Sequence, residues 1–268
     1  YMAYQNTVVQ DCFNQSFHSG APFKPLKQHR PVKRAILDNK TYVCAFIGDF
    51  DSTMPLYSLL PARCWDDPVR GTLPIAWGIN PNLIETYPDI MSYLYETASD
   101  NDYFVTDASA AGYAFPSRIP KKQLGLFVRH NRHFFELADM TIAGMVLDVE
   151  TPPARVLNAF RKFAPDGYAT MIHDFHGAGA LSVRPSIWKG MPVTNLFNDV
   201  CSFGTPDNAA DTMYHGLRSR GFTKPGFGYW RCVYIPPAQV AEAFRLLKER
   251  HPELDVEVVD IYTYMNLL

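Results

Sequence analysis

The stretch Tyr42-Val43-Cys44-Ala45-Phe46-Ile47-Gly48, followed at once by Asp49-Phe50-Asp51-Ser52, decides the fold. It is apolar at odd and even positions alike and rich in strand formers. That pattern marks a strand buried on both faces, the habit of parallel sheets. Similar runs recur at 73–79, 103–106, 141–149, 168–172, 193–197, 228–234 and 256–259.

Helical periodicity separates most of these runs. Over 82–98, Leu83, Ile84, Tyr87, Ile90, Met91, Leu94 and Tyr95 fall at spacings of three and four. Pro88 lies inside that stretch and predicts a separate or kinked first turn. Further helices are predicted over 121–138, 153–163, 207–221 and 238–251, the last stopped by Pro252. Strand and helix in alternation imply parallel strands joined by right-handed crossovers. The expected fold is therefore α/β: a parallel (β/α) barrel-like domain over 41–268 with seven or eight strands, a distorted barrel included. A doubly wound open sheet is the alternative, but the full glycine-rich dinucleotide fingerprint is missing after every strand. Residues 1–40 are polar, proline-bearing and aperiodic, and read as an N-terminal arm or the end of a preceding domain.

Composition narrows the function classes. Of 268 residues, 47% are hydrophobic and 19% charged, which is globular. The net charge is −2 with no arginine- or lysine-rich run, so no nucleic-acid partner is expected. No apolar run is long enough to predict a membrane span. The five cysteines are widely spaced, form no CxxC pair, and read as buried or free thiols. The 14% of aromatic residues suits a site that stacks flat sugar or base faces, or simply a core.

In a parallel barrel, chemistry gathers where strands end. The first strand ends in Asp49 and Asp51, the third in Asp107, the fourth in Asp148 and Glu150. The fifth runs into His173, Asp174 and His176, the sixth into Asn198 and Asp199, and the seventh presents Arg231. Asp107, Glu150 and Asp199 read equally well as caps of the following helices. Asp49 and Asp51 would share a face if the strand stayed regular, and two such carboxylates need a cation, an arginine or a shared proton. His173, Asp174 and His176 fit either a general base or a divalent-metal ligand set, and equally a buried, satisfied histidine beside a glycine-rich loop. Trp65, Trp77 and Asn80 border the second strand, where either indole is placed to pack a sugar face or to serve as core.

Ala110-Ala111-Gly112-Tyr113-Ala114-Phe115-Pro116 resembles the GxGYxYP signature of a family of putative glycoside hydrolases. Gly48–Ser52 is similar to that family's Asp-Gly-Asp-Asn strand end, 65–71 to its Trp…Asp…Arg-Gly loop, and 73–81 to its P-x-x-W-x-x-N-P segment. The closing stretch 256–264 is similar as well, so the likeness runs over roughly residues 42–268 in order. Ala110 stands for the first signature glycine, Phe115 for the second tyrosine, Phe50 for the glycine between the acids and Ser52 for the asparagine. The resemblance implies a C-terminal catalytic-type domain of a longer, secreted or periplasmic bacterial protein that acts on carbohydrate.

Glycoside hydrolysis requires one carboxyl protonated and another ionised. The candidates are Asp49, Asp51, Asp107, Asp148, Glu150 and Asp174, with Trp65, Trp77, Asn80, Gly112, Tyr113, Phe115, His173, His176 and Arg231 lining the substrate; this reading takes no metal and no cofactor. Two other readings stand beside it. One is a non-catalytic carbohydrate-binding or scaffolding barrel. The other is a metal-dependent, deacetylase-like hydrolase using Asp49, Asp51, His173 and His176.

Overall fold

Every apolar run predicted as a strand is a strand. The computed structural model describes residues 14–31, 36–50, 53–149, 151–172, 185–197, 204–219, 221 and 223–268. Its strands are β1 (Thr41–Phe50), β2 (Ile75–Ile79), β3 (Asp102–Val105), β4 (Ile142–Asp148), β5 (Gly167–Ile172), β6 (Ser186–Trp188), β7 (Met191–Asn195), β8 (Gly226–Val233) and β9 (Val256–Val258). The helices are α1 (Gln15–His18), α2 (Leu83–Thr86), α3 (Pro88–Glu96), α4 (Leu124–Leu137), α5 (Ala154–Phe160), α6 (Pro206–Ser219), α7 (Pro237–Arg250) and α8 (Ile261–Leu267). The predicted helix over 82–98 is broken into α2 and α3 at Pro88, which opens the second piece.

The fold is α/β with mainly parallel strands. One sheet runs β3-β2-β1-β8 and the other β4-β5-β7-β6. β8 pairs with β1 from Thr41 to Gly48, so the remaining partners share the other edge of β1. There β2 takes Ala45 to Phe50 and β9 takes Thr41 to Val43. The last predicted strand therefore seals the start of β1 and is not another rung of the sequence. Two seams join the sheets. Met145 N–H donates to Thr106 O at 3.1 Å, and Phe197 N–H donates to Tyr229 O at 2.8 Å.

Alternation along each strand divides the core in two. Tyr42, Cys44 and Phe46 pack with Ala76, Tyr103 and Val105 and, from the other sheet, Ile142, Met145, Leu147 and Ala169. Val43, Ala45 and Ile47 face the opposite way, into the cluster that buries the helices. The inner cluster is closed at the amino ends of the strands by Ile261, Tyr264 and Met265 of α8. Asp260 caps that helix by accepting from Thr263 N–H at 2.9 Å.

Several features had no clear signal in the sequence. A π-type helical stretch, Pro55–Trp65, is disguised by Pro55 and Pro61. The antiparallel β6–β7 hairpin turns at Lys189 and Gly190, both with positive φ (49° and 87°), as a two-residue hairpin turn requires. The described part of the N-terminal arm is packed against the domain. The Gln28 side-chain amide accepts from Phe104 N–H at 2.9 Å and donates to Phe104 O at 3.0 Å, as a neighbouring strand would. Arg30 pairs with Asp139 at 2.7 Å.

Candidate functional site

The site is built on a kink at the end of β1. Ile47 pairs with Trp77, yet Phe50 pairs with Ile79, so three steps along β1 oppose two along β2. Asp49 takes up the extra residue with φ of 79°. The expectation that Asp49 and Asp51 share a face rested on a regular strand, and the bulge removes that regularity. Asp51 itself lies outside the described residues.

Two glycines make the floor beside this bulge. A Cβ on Gly48 would stand 2.1 Å from Phe46 Cε1 and 2.8 Å from Asp107 Oδ2. A Cβ on Gly78 would stand 2.2 Å from Phe46 Cζ and 2.9 Å from the same oxygen. The ring of Phe46 and the carboxylate of Asp107 therefore lie across both glycines, where no other residue leaves room. Asp107 is fully buried. Its Oδ2 accepts from the Asp49 N–H at 2.6 Å and its Oδ1 from the Ala108 N–H at 2.8 Å. It thus braces one strand end against another and caps none of the described helices.

Among the described candidates, Asp49 is the acid that this scaffold leaves open. Arg231 Nη2 donates to its Oδ1 at 2.9 Å, and the Tyr234 hydroxyl donates to its carbonyl at 3.1 Å. The Asp49 side chain is 38% exposed while that of Arg231 is 12% exposed. The guanidinium is the buried partner of the pair and the carboxylate is the more open one. Beneath them, burial pushes the Tyr229 phenol well above its ordinary range, and Cys44 and Asp107 add to the effect. That hydroxyl stays protonated and is no base.

The loop after β3 is strained and pinned. Ala108, Ser109 and Ala110 have φ of 36°, 79° and 115°, and Gly112 has 122°. The position of the first signature glycine thus adopts a glycine backbone although alanine fills it. Ser109 N–H donates to Met145 O at 2.8 Å, Ser109 Oγ accepts from Leu147 N–H at 2.8 Å, and Asn131 Oδ1 accepts from Ala111 N–H at 2.8 Å. Bonds to β4 and α4 over-determine the turn, which is how such a conformation persists. Tyr113 is half-buried against the inner cluster, and Phe115 is exposed at the loop's outer edge.

Other candidates fall elsewhere. Asp148 is buried and accepts from Ser117 N–H at 3.0 Å and Val149 N–H at 2.9 Å, so it anchors the turn at 116–118. Trp65 and Trp77, expected to stack on sugar, are fully buried. Trp77 Nε1 donates to Asp102 at 2.7 Å, Trp65 Nε1 donates to Thr97 at 3.0 Å, and Arg70 lies 4.2 Å over the Trp65 ring while pairing with Asp102. On β2, Ala76 faces the inner cluster, which sends Trp77 outward into the helix layer. Asn80 is also buried and turns the chain by accepting from Asn82 N–H at 3.3 Å. Glu150, His173, Asp174, His176 and Asp199 lie outside the described residues.

Sequence reasoning passed over Tyr234, Gly48 and Gly78. Tyr234 was visible as a polar residue closing an apolar run, three places after Arg231. The glycines carried no signal separable from ordinary strand glycines. The described cysteines, Cys44, Cys64 and Cys232, are buried free thiols as expected, and burial pushes Cys64 up to about 12. Among the described residues no three His, Cys, Asp or Glu side chains are placed to hold a metal ion, and no helix is long and apolar enough to cross a membrane.

Residues 39–268 match the model of the family described as GxGYxYP putative glycoside hydrolase C-terminal domain. A solved structure of a putative hydrolase from Bacteroides thetaiotaomicron superposes with a TM-score of 0.75 at 18% identity, over 96% of this chain and 50% of that one. The chain thus spans half the length of that protein. A putative polysaccharide deacetylase from Mycobacterium smegmatis aligns at 13% identity over 90% of this chain and 93% of its own, with a TM-score of 0.48. No curated protein sequence matches the chain.

Proposed function

The chain belongs to the GxGYxYP putative glycoside hydrolase C-terminal domain family, and on that premise we propose that it is a carbohydrate-active hydrolase that cleaves a glycosidic bond at the carboxyl ends of its parallel strands. In this reading the two sheets act as one distorted ring of seven parallel strands, β1 to β5, β7 and β8. The two seams support it, since they bridge β3 to β4 and β7 to β8.

The observation that carries the proposal is the state of Asp49. Among the described candidates, Asp107 and Asp148 are buried and engaged with backbone amides, whereas Asp49 is open, oriented by Arg231, and fixed at both its amide and its carbonyl. A carboxylate ion-paired in this way suits the nucleophile or base, because either role needs the ionised form. The partner that protonates the leaving oxygen is assigned to Asp51, Glu150 or Asp174, which follow β1, β4 and β5 in the chain. Tyr113 and Phe115 supply the sugar-facing wall. Ala110 is no argument for lost activity, because the loop keeps the glycine conformation with alanine in place.

Reducing-sugar release from a polysaccharide panel tests this, with Asp49→Asn measured beside the wild type. Turnover by the wild type and its loss in the folded variant are expected. Glycan binding without hydrolysis would leave the scaffold reading, and activity abolished by chelation and restored by a divalent metal would favour the deacetylase-like one.

A further inference from the structure

The segment that leads from β3 into α4 carries a charge opposite to that of the protein as a whole. From residue 108 to 135 the chain has no Asp or Glu, while it carries Arg118, Lys121, Lys122, Arg129 and Arg132. All five are exposed. Among the described residues, Arg118, Lys121, Lys122 and Arg129 enter no ion pair, although the protein carries a net charge of −2.

Topology sets Arg118, Lys121 and Lys122 on the same side as Asp49, whereas Arg132 lies in the second half of α4 and donates to Lys162 O beyond α5. The chain leaves the carboxyl end of β3 through Asp107, passes the strained turn and Phe115, and only then enters α4, so the first turn of α4 lies on the carboxyl side of the sheet. Lys121 and Lys122 immediately precede that turn. Arg129 belongs to the next turns but reaches back: its Nη1 lies 3.8 Å from the position a Cβ on Gly125 would occupy. Helical side chains lean toward the amino terminus, and Gly125 leaves the surface clear for the guanidinium. Arg155, at the start of α5, donates to Ser117 O and brings a further cation to the turn that carries Arg118.

We propose that this rim binds the acidic groups of a polyanionic polysaccharide, such as a polyuronate, and so selects an anionic glycan for the site. The inference rests on the glycoside-hydrolase reading above, which supplies the glycan; the cations supply the charge class. Exposed Phe115, between the rim and Asp49 in the chain, offers an apolar face for a sugar ring, and guanidinium and ammonium groups spaced along a surface match carboxylates repeated along a chain. Charge alone would suit a nucleic acid equally. Continuity with the wall of a carbohydrate site favours the glycan.

The test is binding of the intact protein to polygalacturonate, to a neutral glucan and to a single-stranded oligonucleotide, between about 0.02 and 0.3 M salt. The K121E/K122E/R129E variant and Asp49→Asn are measured alongside. The proposal expects polygalacturonate to be preferred, its binding to weaken with salt, and the triple variant to bind it about tenfold or more weakly. Equal binding of neutral and acidic glycans, no binding of polygalacturonate, no effect of the triple variant, or tighter binding of the oligonucleotide would each overturn the proposal. Hydrolysis of neutral glycans alone, lost in Asp49→Asn, would overturn this inference and uphold the hydrolase. Cation-dependent polygalacturonate binding without any hydrolysis would do the reverse.

Discussion

The two ends of the parallel strands solve opposite problems with the same residue types. At the amino ends, α8 closes the inner cluster with Tyr264 and Met265, and the acid at the start of β3, Asp102, is wholly buried beneath Arg70, Trp77 and Ser99. At the carboxyl ends, Asp49 is partly exposed and its arginine is the buried partner. Asp102–Arg70 and Asp49–Arg231 are both carboxylate–guanidinium pairs, but the first accepts from an indole, an amide and a hydroxyl as well. A buried pair whose carboxylate accepts from four donors contributes architecture, while a half-open one leaves an oxygen for chemistry. Under the proposed function, stability lies at one end and chemistry at the other, the division usual in parallel barrels.

Four substitutions probe that division. Asp49→Asn should lower turnover about a thousandfold while the thermal midpoint stays close to that of the wild type. A comparable loss of stability would place Asp49 in the structural class and break the contrast. Asp102→Asn removes the charge that pairs Arg70 and should cost about 3–5 kcal/mol in denaturant unfolding, with turnover per folded molecule unchanged. Met265→Ala, whose side chain lies against Gly167, should cost about 2–4 kcal/mol and likewise spare the kinetics; altered kinetics would mean that the two ends are coupled. Ala110→Gly should stabilise by about 1 kcal/mol, because it relieves a φ of 115° at the wall of the site. Calorimetry that finds no gain would mean that the pinned turn carries no strain.

Much of the fold was legible in the sequence because buried parallel strands are apolar on both faces and their helices are not. Tyr42–Gly48 needs no context to be read as a strand. The site was legible only in outline. Asp49 and Arg231 were singled out separately, but their pairing across β1 and β8 is a matter of register. Trp65 and Trp77 illustrate the failure. An aromatic residue next to a strand is equally suited to a platform or to a core, and which it becomes depends on the parity that the opposite face imposes. Lys121, Lys122 and Arg129 do not form a run in the sequence, and only the helix geometry shows that the Arg129 guanidinium turns back to Gly125.

By itself, then, the sequence of this chain determined the alternation of strands and helices, the acids at strand ends and the family signature, since all of these are local patterns of hydrophobicity and residue type. Tertiary structure decided which of the described candidate carboxylates is open. Burial, pairing and bulge register depend on neighbours distant in the chain: Gly78 leaves space for Asp107, Asp107 holds the Asp49 amide, and Arg231 orients its carboxylate.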